Sequence, residues 1–314
     1  MGLAEIIPLE AQKIDETSAE LQFMKQLCKG DADAAAHFFL ETQQFGGLSY
    51  VDAPQGRYEG KDQILQFAKG WLKAFEASSA EVRPVTQTVG GGRSASEVIV
   101  HFEREKGDLD ISMCIVGDLR KPDLLEAVRI YFYYGWVPGF SAYRRIIFQP
   151  EHQEAAPCVL MTGCVKKYFE LLHGEDEPEK RVEDIIRICT EDVGYGGYRP
   201  DWVEPADSGA DALRHHYTFI CADAPQNYIV RMEAMTDDGT RCVVEWTLLV
   251  SKEGYAAGRV SQSGVAVYER DQESGLLRGI RICDNVGMED AIRLEELPEE
   301  VRELVRAYRE KKEK

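Results

Sequence analysis

Two stretches of this chain repeat each other in the same order, and that repetition limits the fold more than any single motif. Residues 45–54 read Phe-Gly-Gly-Leu-Ser-Tyr-Val-Asp-Ala-Pro, and residues 195–205 read Tyr-Gly-Gly-Tyr-Arg-Pro-Asp-Trp-Val-Glu-Pro. Each runs aromatic-Gly-Gly, then aromatic-Val-acid, then proline. Further on, Arg129-Ile130-Tyr131-Phe132-Tyr133-Tyr134-Gly135 stands 152 residues before Arg281-Ile282-Cys283-Asp284-Asn285-Val286-Gly287, and Asp52 stands the same 152 before Glu204. A repeat of this kind means that one structural pattern is used twice. The 314 residues suit two domains of ordinary size.

Within the first copy, Leu21, Met24, Leu27 and Cys28 follow helical spacing, and Lys29-Gly30-Asp31 reads as a stop followed by a new start. A short helix is predicted over Ala34–Leu40 and a strand over Ser49–Asp52. From Lys61 to Glu76, Ile64, Phe67, Ala68, Trp71, Leu72 and Phe75 form one apolar stripe, the mark of an amphipathic helix. The pattern then changes to strands at Val82–Thr88, Glu97–Arg104, Asp110–Val116 and Glu126–Tyr134, with Gly90-Gly91-Gly92 as a hairpin turn. The second copy repeats this order: helices over Cys158–His173, Glu179–Thr190 and Ala210–Ala222, then strands over Tyr228–Ala234, Arg241–Val250, Arg259–Glu269 and Leu276–Asp284.

Helices followed by consecutive strands predict an α+β fold. It consists of two tandem domains, each a curved antiparallel sheet packed on about three N-terminal helices. The expected boundaries are an extension at 1–16, a first domain at 17–148, a linker at 149–156, a second domain at 157–290 and a tail at 291–314. In the tail, Val301, Leu304, Val305 and Tyr308 predict a C-terminal helix that docks on the second domain.

Charge and cysteine usage narrow the partners. The formal net charge is −18, which repels phosphate backbones and anionic lipid, so neither nucleic acid nor a membrane surface is expected as a partner. The N-terminus lacks a basic start followed by an apolar core, and a cytoplasmic location is expected. The eight cysteines show no Cys-x-x-Cys pair and no ligand spacing toward histidine. They read as reduced core residues, and no metal site is expected.

The order of Leu27-Cys28-Lys29-Gly30-Asp31, Phe38-Phe39, Tyr50-Val51-Asp52-Ala53-Pro54 and Gly60-Lys61-Asp62 opening a helix through Gly70-Trp71-Leu72 resembles the nuclear transport factor 2-like superfamily. That superfamily includes ketosteroid isomerases and SnoaL-like polyketide cyclases. The resemblance covers about residues 17–148 and, more faintly, 157–290. It implies that each domain is cone-shaped, with a curved sheet around three helices, a pocket at the wide end, and chemistry without a metal or cofactor. It also implies pairing through sheets, here as an intrachain pseudo-dimer, with a homodimer also open.

The general base of ketosteroid isomerases lies in an acid-proline turn. The resemblance puts Asp52 there in the first copy and Glu204 in the second. A carboxylate in an apolar pocket is poorly solvated, and its pKa rises toward the range where it can move protons beside a carbonyl. The oxyanion tyrosine's place is taken by Phe23 in the first copy, the second oxyanion acid falls near Cys114 or Ile115, and the second copy offers Lys167 or Tyr168 for the tyrosine.

Asp284 shares a strand face with Ile280 and Ile282 and is a third candidate carboxylate. Candidate ligand-binding side chains are Tyr168, Trp202, His215, Trp246, Tyr50, Trp71 and His101, although aromatic residues at helix and strand spacing also serve as core. His215 and His216 point about 100° apart on one helix, so at most one faces a pocket. The expected function is a cofactor-independent isomerase, cyclase or dehydratase acting by carboxylate proton transfer on a small, largely apolar carbonyl compound. The alternative is a non-catalytic ligand-binding or protein-interaction module of the same fold.

Overall fold

The computed structural model describes residues 14–39, 49–53, 56–133, 146–148, 163–197, 207–256, 260–283, 294–297 and 299–312. Helix α1 (Ala19–Lys29) ends where the sequence says it should. Gly30 takes φ 72°, a left-handed conformation open to a residue without Cβ, and its N–H reaches the Leu27 carbonyl at 3.0 Å. Asp31 then caps α2 (Ala32–Ala36) by accepting from the Ala34 N–H at 3.0 Å. Strands β1 (Tyr50–Ala53) and β2 (Gly56–Glu59) form a hairpin before α3 (Gly60–Ala74), which buries Ile64, Phe67, Ala68 and Trp71. Strands β3 (Ala77–Gly90), β4 (Arg93–Arg104), β5 (Leu109–Lys121) and β6 (Leu124–Phe132) complete the sheet, in order β2-β1-β6-β5-β4-β3.

The second half follows the same plan. Helices α4 (Gly163–Leu172) and α5 (Pro178–Arg187) precede β7 (Cys189–Gly197) and β8 (Asp207–Ser208), and α6 (Ala210–Asn227) follows. Strands β9 (Tyr228–Asp237), β10 (Arg241–Val250), β11 (Gln262–Arg270) and β12 (Leu277–Cys283) give the order β8-β7-β12-β11-β10-β9. Only this half has the short α7 (Lys252–Ala256) between β10 and β11. Helix α8 (Glu299–Lys312) closes the described chain, burying Val301 and Val305 with Leu297 and Val260.

The structure therefore has the expected α+β architecture with two sheets of like order. It differs from expectation in three respects. Neither sheet is wholly antiparallel, because β1 runs parallel to β6 and β7 parallel to β12. The helix expected to reach Thr190 stops at Arg187, and residues 189–197 form a strand. The third helix of the second half follows β7 and β8 rather than preceding every strand. The linker at 149–156 lies outside the described residues.

Each sheet has an inner face toward its own helices and an outer face toward the other sheet. Side chains alternate along a strand, so Val98, Val100 and Phe102 of β4 join the first helical core while Ala95 and Glu97 turn the other way. The outer faces meet in a third core of Ala95, Cys114, Val116, Tyr131, Ile147, Phe148, Ala234, Val243, Val265, Val267 and Cys283.

Buried charges cross this interface twice. Arg129 donates to Glu245 (Nη2 to Oε2, 2.8 Å) and to Asp118 (Nη1 to Oδ2, 2.7 Å), and Arg93 also binds Asp118 at 2.6 Å. Arg281 binds Glu97 at 2.7 Å and Glu269 at 2.9 Å, and Arg241 stands 3.5 Å from Glu269. Register makes the two sets equivalent. Arg129 opposes Val116 as Arg281 opposes Val267, and Glu97 opposes Cys114 as Glu245 opposes Val265. A contact from one half is thus answered by its counterpart from the other, the relation that a two-fold axis imposes on identical chains.

Candidate functional site

The first interior is filled by its own side chains. Trp71, Phe75, Phe102 and Phe132 are fully buried, with the Phe75 and Phe102 rings stacked at 4.2 Å and Trp71 4.8 Å from Phe75. Trp71 is thus core rather than ligand platform. Cys28 is buried in the same core, and burial pushes its thiol up to about 12.

Asp52 is not in this interior, which corrects the expectation of a pocket base there. Val51 belongs to the inner core, so its neighbours Tyr50 and Asp52 point to the outer face. Asp52 forms an ion pair with Arg57 at 3.5 Å, and the Arg57 guanidinium lies 3.8 Å over the Tyr50 ring. Tyr50 accepts from Arg129 at 3.3 Å and so supports the interface. His101, half-exposed on the outer side, bonds Asp110 at 2.7 Å, and that bond raises its pKa.

One polar group does lie inside the first interior. Glu20, fully buried, accepts through Oε1 from Ser18 (2.9 Å), Gln87 (3.0 Å), Ser94 (2.5 Å) and Ser96 (2.9 Å). It fits because Gly117 faces it. A Cβ at Gly117 would lie 3.1 Å from the Glu20 Cβ and 2.8 Å from Leu125.

The second interior is different. Tyr168 of α4 and Tyr217 of α6 share a hydroxyl hydrogen bond of 2.7 Å, and the ring of Tyr268 of β11 lies 5.1 Å from that of Tyr168. Burial pushes all three phenols well above 10, so at neutral pH they are hydrogen-bond donors and not acids. Beside them, the Tyr195 hydroxyl of β7 lies 2.5 Å from Nε2 of His216 on α6, and the Tyr195 ring is 6.1 Å from that of Tyr217. Tyr195 and His216 are half-buried, whereas Tyr168, Tyr217 and Tyr268 are buried. His215 is exposed, so the neighbouring His216 takes the inward direction that the sequence reading gave to His215.

Counterparts of these residues in the first half are apolar. Tyr195 opposes Ile280 as Val51 opposes Val128, and Tyr268 opposes Ile280 as Gly117 opposes Val128. The N–H groups of Gly209 and Gly60, at φ 86° and 75°, bond Val193 and Ser49 at the starts of α6 and α3. Counting from these glycines matches His216 with Phe67 and Tyr217 with Ala68. Gly30 and Gly174, whose N–H groups bond Leu27 and Leu171, match Tyr168 with Met24, while Lys167, in the place of Phe23, is exposed.

By the same register, Asp52 opposes Arg129 and Gly196 opposes Arg281, so the strand position of Asp52 in the second half is held by Gly196. Glu204, Trp202 and Asp284 lie outside the described residues. Trp246 is buried in the second core and lies flat across Gly264, where a Cβ would come within 2.2 Å of its ring. Gly264→Ala is expected to displace that ring at a cost of about 1–3 kcal/mol, seen as a lower denaturation midpoint with altered tryptophan fluorescence.

Sequence reasoning missed Tyr195, Tyr217, Tyr268 and Glu20, and of the two adjacent histidines it chose His215. For Tyr217 a signal existed, since it stands four residues after Leu213 on the buried stripe of α6.

No protein-family profile matches the sequence, and no curated protein matches it. Among solved structures, the chain is similar over part of its length to nuclear transport factor 2-like and ketosteroid isomerase-like proteins. One is an NTF2-like protein of unknown function from Cytophaga hutchinsonii, at 16% identity over 39% of this chain and 93% of that one, TM-score 0.28. Another, from Catenulispora acidiphila, has a ketosteroid isomerase-like fold and was solved with trimethylamine, at 13% identity over 37% and 85%, TM-score 0.32. A third is the epoxide hydrolase/cyclase-like enzyme SalBIII of pyran ring formation in salinomycin, at 15% identity over 37% and 88%, TM-score 0.30. The α+β architecture itself rests on the strand order and register described above. Among the described residues, no helix is long and apolar enough to cross a membrane.

Proposed function

We propose that the second half handles a small, largely apolar carbonyl compound, as a cofactor-independent isomerase, cyclase or dehydratase, and that the first half is its non-catalytic partner in an intrachain pseudo-dimer. The observation that carries this reading is the buried tyrosine chain of the second interior, whose counterparts in the first are apolar or lack a side chain. A fold of this kind does not need these hydroxyls, since the first half does without them. Phenols held neutral in a site of low polarity donate hydrogen bonds to a carbonyl oxygen and gain strength as negative charge develops there. The ligand's apolar body suits the aromatic side chains of the second core, Tyr168, Phe169, Tyr217 and Tyr268.

The test uses 2-naphthol, an apolar ring system whose one oxygen can accept from the tyrosine chain. The intact chain is expected to quench its fluorescence saturably, and Tyr168→Phe to weaken binding about tenfold, the loss of one hydrogen bond of about 1.4 kcal/mol. Absence of saturable binding, or equal affinity in the Phe variant, would overturn the reading.

A further inference from the structure

The tyrosine chain can hold a carbonyl oxygen but cannot accept a proton at neutral pH, so a proton-transfer role for the second interior requires another group. We propose that Tyr195 and His216 form that group, a two-residue relay that removes a proton beside the substrate carbonyl and returns it elsewhere on the same molecule. The inference rests on the proposed function of this half.

Three observations support it. First, the pair is joined directly, with the Tyr195 hydroxyl 2.5 Å from Nε2 of His216 and the rings 4.3 Å apart, which is the contact a proton must cross. Second, the pair sits where a relay must sit. Both residues are half-buried and border the buried Tyr217, whose ring is 5.1 Å from His216, so one end can exchange with water while the other faces the interior. Third, the fold does not require the pair, because the matching positions hold Val51 and Phe67. The Phe67 ring there packs 5.0 Å from Tyr58 and 5.6 Å from Trp71.

Elimination leads to the same residues. The thiols that line this core, among them Cys189, pushed by burial up to about 12, stay protonated at neutral pH as the phenols do. The charged side chains described on α5, α6 and β7 beside this pair are engaged with other groups or exposed. Arg214 of α6 pairs with Asp211 and with Glu183 of α5, and Glu191 and Asp192 of β7 are exposed. Imidazole is the side chain whose ordinary titration range brackets neutrality. Among the described residues of this interior, His216 is therefore the group able both to take and to give a proton.

The step balances without a cofactor. The Tyr195 oxygen accepts the proton from the carbon beside the carbonyl while its own proton passes to Nε2 of His216. The electron pair of the broken C–H bond moves to the carbonyl oxygen, leaving an enolate held by hydrogen bonds from the tyrosine chain. The imidazolium then returns its proton through Tyr195, either to a carbon of the same substrate, completing an isomerisation, or to a departing hydroxyl, completing a dehydration.

The test measures exchange of the α-hydrogens of cyclohexanone for deuterium by the intact chain in D2O, followed by NMR, with 2-naphthol binding as a separate readout. The intact chain is expected to exchange faster than buffer, with a rate that rises with pH and levels off above the imidazole pKa, because the relay needs neutral His216. His216→Gln and Tyr195→Phe are each expected to lower the rate at least a hundredfold and to abolish the imidazole midpoint, while 2-naphthol binding stays within about threefold. His216→Phe and Tyr195→Val place the first half's own residues there and guard against loss of fold. Unchanged exchange or an unchanged pH profile in the variants would overturn the relay while leaving the ligand site intact. So would the absence of exchange by an intact chain that binds 2-naphthol. Absence of 2-naphthol binding would instead overturn the proposed function on which the relay rests.

Discussion

Replacing Arg129 by Met is expected to destabilise the protein by about 3–5 kcal/mol at neutral pH, the usual cost of removing one partner from a buried ion pair. Arg129 is fully buried, and its guanidinium is shared between Asp118 on its own sheet and Glu245 on the other. The Met variant keeps most of the volume but leaves Glu245 with Tyr131 and Asp118 with Arg93 as their remaining charged or hydroxyl neighbours among these contacts. The pH dependence follows from the sign of the Asp118 shift. Burial pushes its carboxyl up, but Arg129 and Arg93 together more than reverse this and hold it below the ordinary carboxylate range.

A carboxyl lowered in the folded state contributes stability above its unfolded pKa, near 4, and that contribution is lost as pH falls through the folded value. Without Arg129, Arg93 alone opposes the burial of Asp118, so the variant has less of this stability to lose on acidification. The gap between the two proteins should be widest near pH 7 and narrow below about pH 5, as urea denaturation at several pH values would show. A gap under about 1 kcal/mol at pH 7, or one that widens on acidification, would contradict this account of the interface.

The second large effect is expected at Glu20. Its Oε1 gathers three serine hydroxyls and the Gln87 amide, and Gln87 also ties the chain before α1 to the sheet by accepting from the Asp15 N–H at 2.8 Å. Glu20→Ala takes their acceptor from three serine hydroxyls, while the Gln87 amide keeps Ser18, and leaves a gap over Gly117, with an expected loss of about 3–4 kcal/mol. Glu20→Gln keeps the shape and the Oε1 acceptor but puts a buried amide where Oε2 has no hydrogen-bond partner, and should lose about half as much. Hydrogen exchange should report the damage in α1, β3 and β4 of the first half, with β9 to β12 protected as before. Equal loosening of both halves, or no loss in the Ala variant, would show that the cluster does not anchor α1.

Much of the fold could be read from local pattern, because helices and turns are decided by neighbours in sequence. The stop at Gly30, the cap at Asp31 and the apolar stripe of α3 are of this kind. The parallel pairing of β1 with β6 was not legible, since it joins residues far apart and leaves no periodic mark on either strand. The second repeat anchor, Asp52 with Glu204, follows the sequence offset, whereas the sheet register places Gly196 opposite Arg281.

Asp52 shows where site reasoning stopped short. Alternation separates Val51 from Tyr50 and Asp52, but nothing in β1 says which face meets helices and which meets the other sheet. Tyr168 was one of two residues, with Lys167, that the family resemblance put in the place of the oxyanion tyrosine. Its neighbours Tyr217 and Tyr268 come from α6 and β11, and only the closed fold brings them together.

The answering ion pairs across the two sheets have a consequence for how the interiors could diverge. Two identical chains associated in this way would carry the same residue at both equivalent places, so any change in one interior would be imposed on the other. Joining the halves in one polypeptide lifts that constraint while leaving the shared surface in place. One half can then hold Val51, Phe67 and Gly117 beneath a buried glutamate while the other holds Tyr195, His216 and Tyr268, a division of labour closed to a pair of gene-identical subunits.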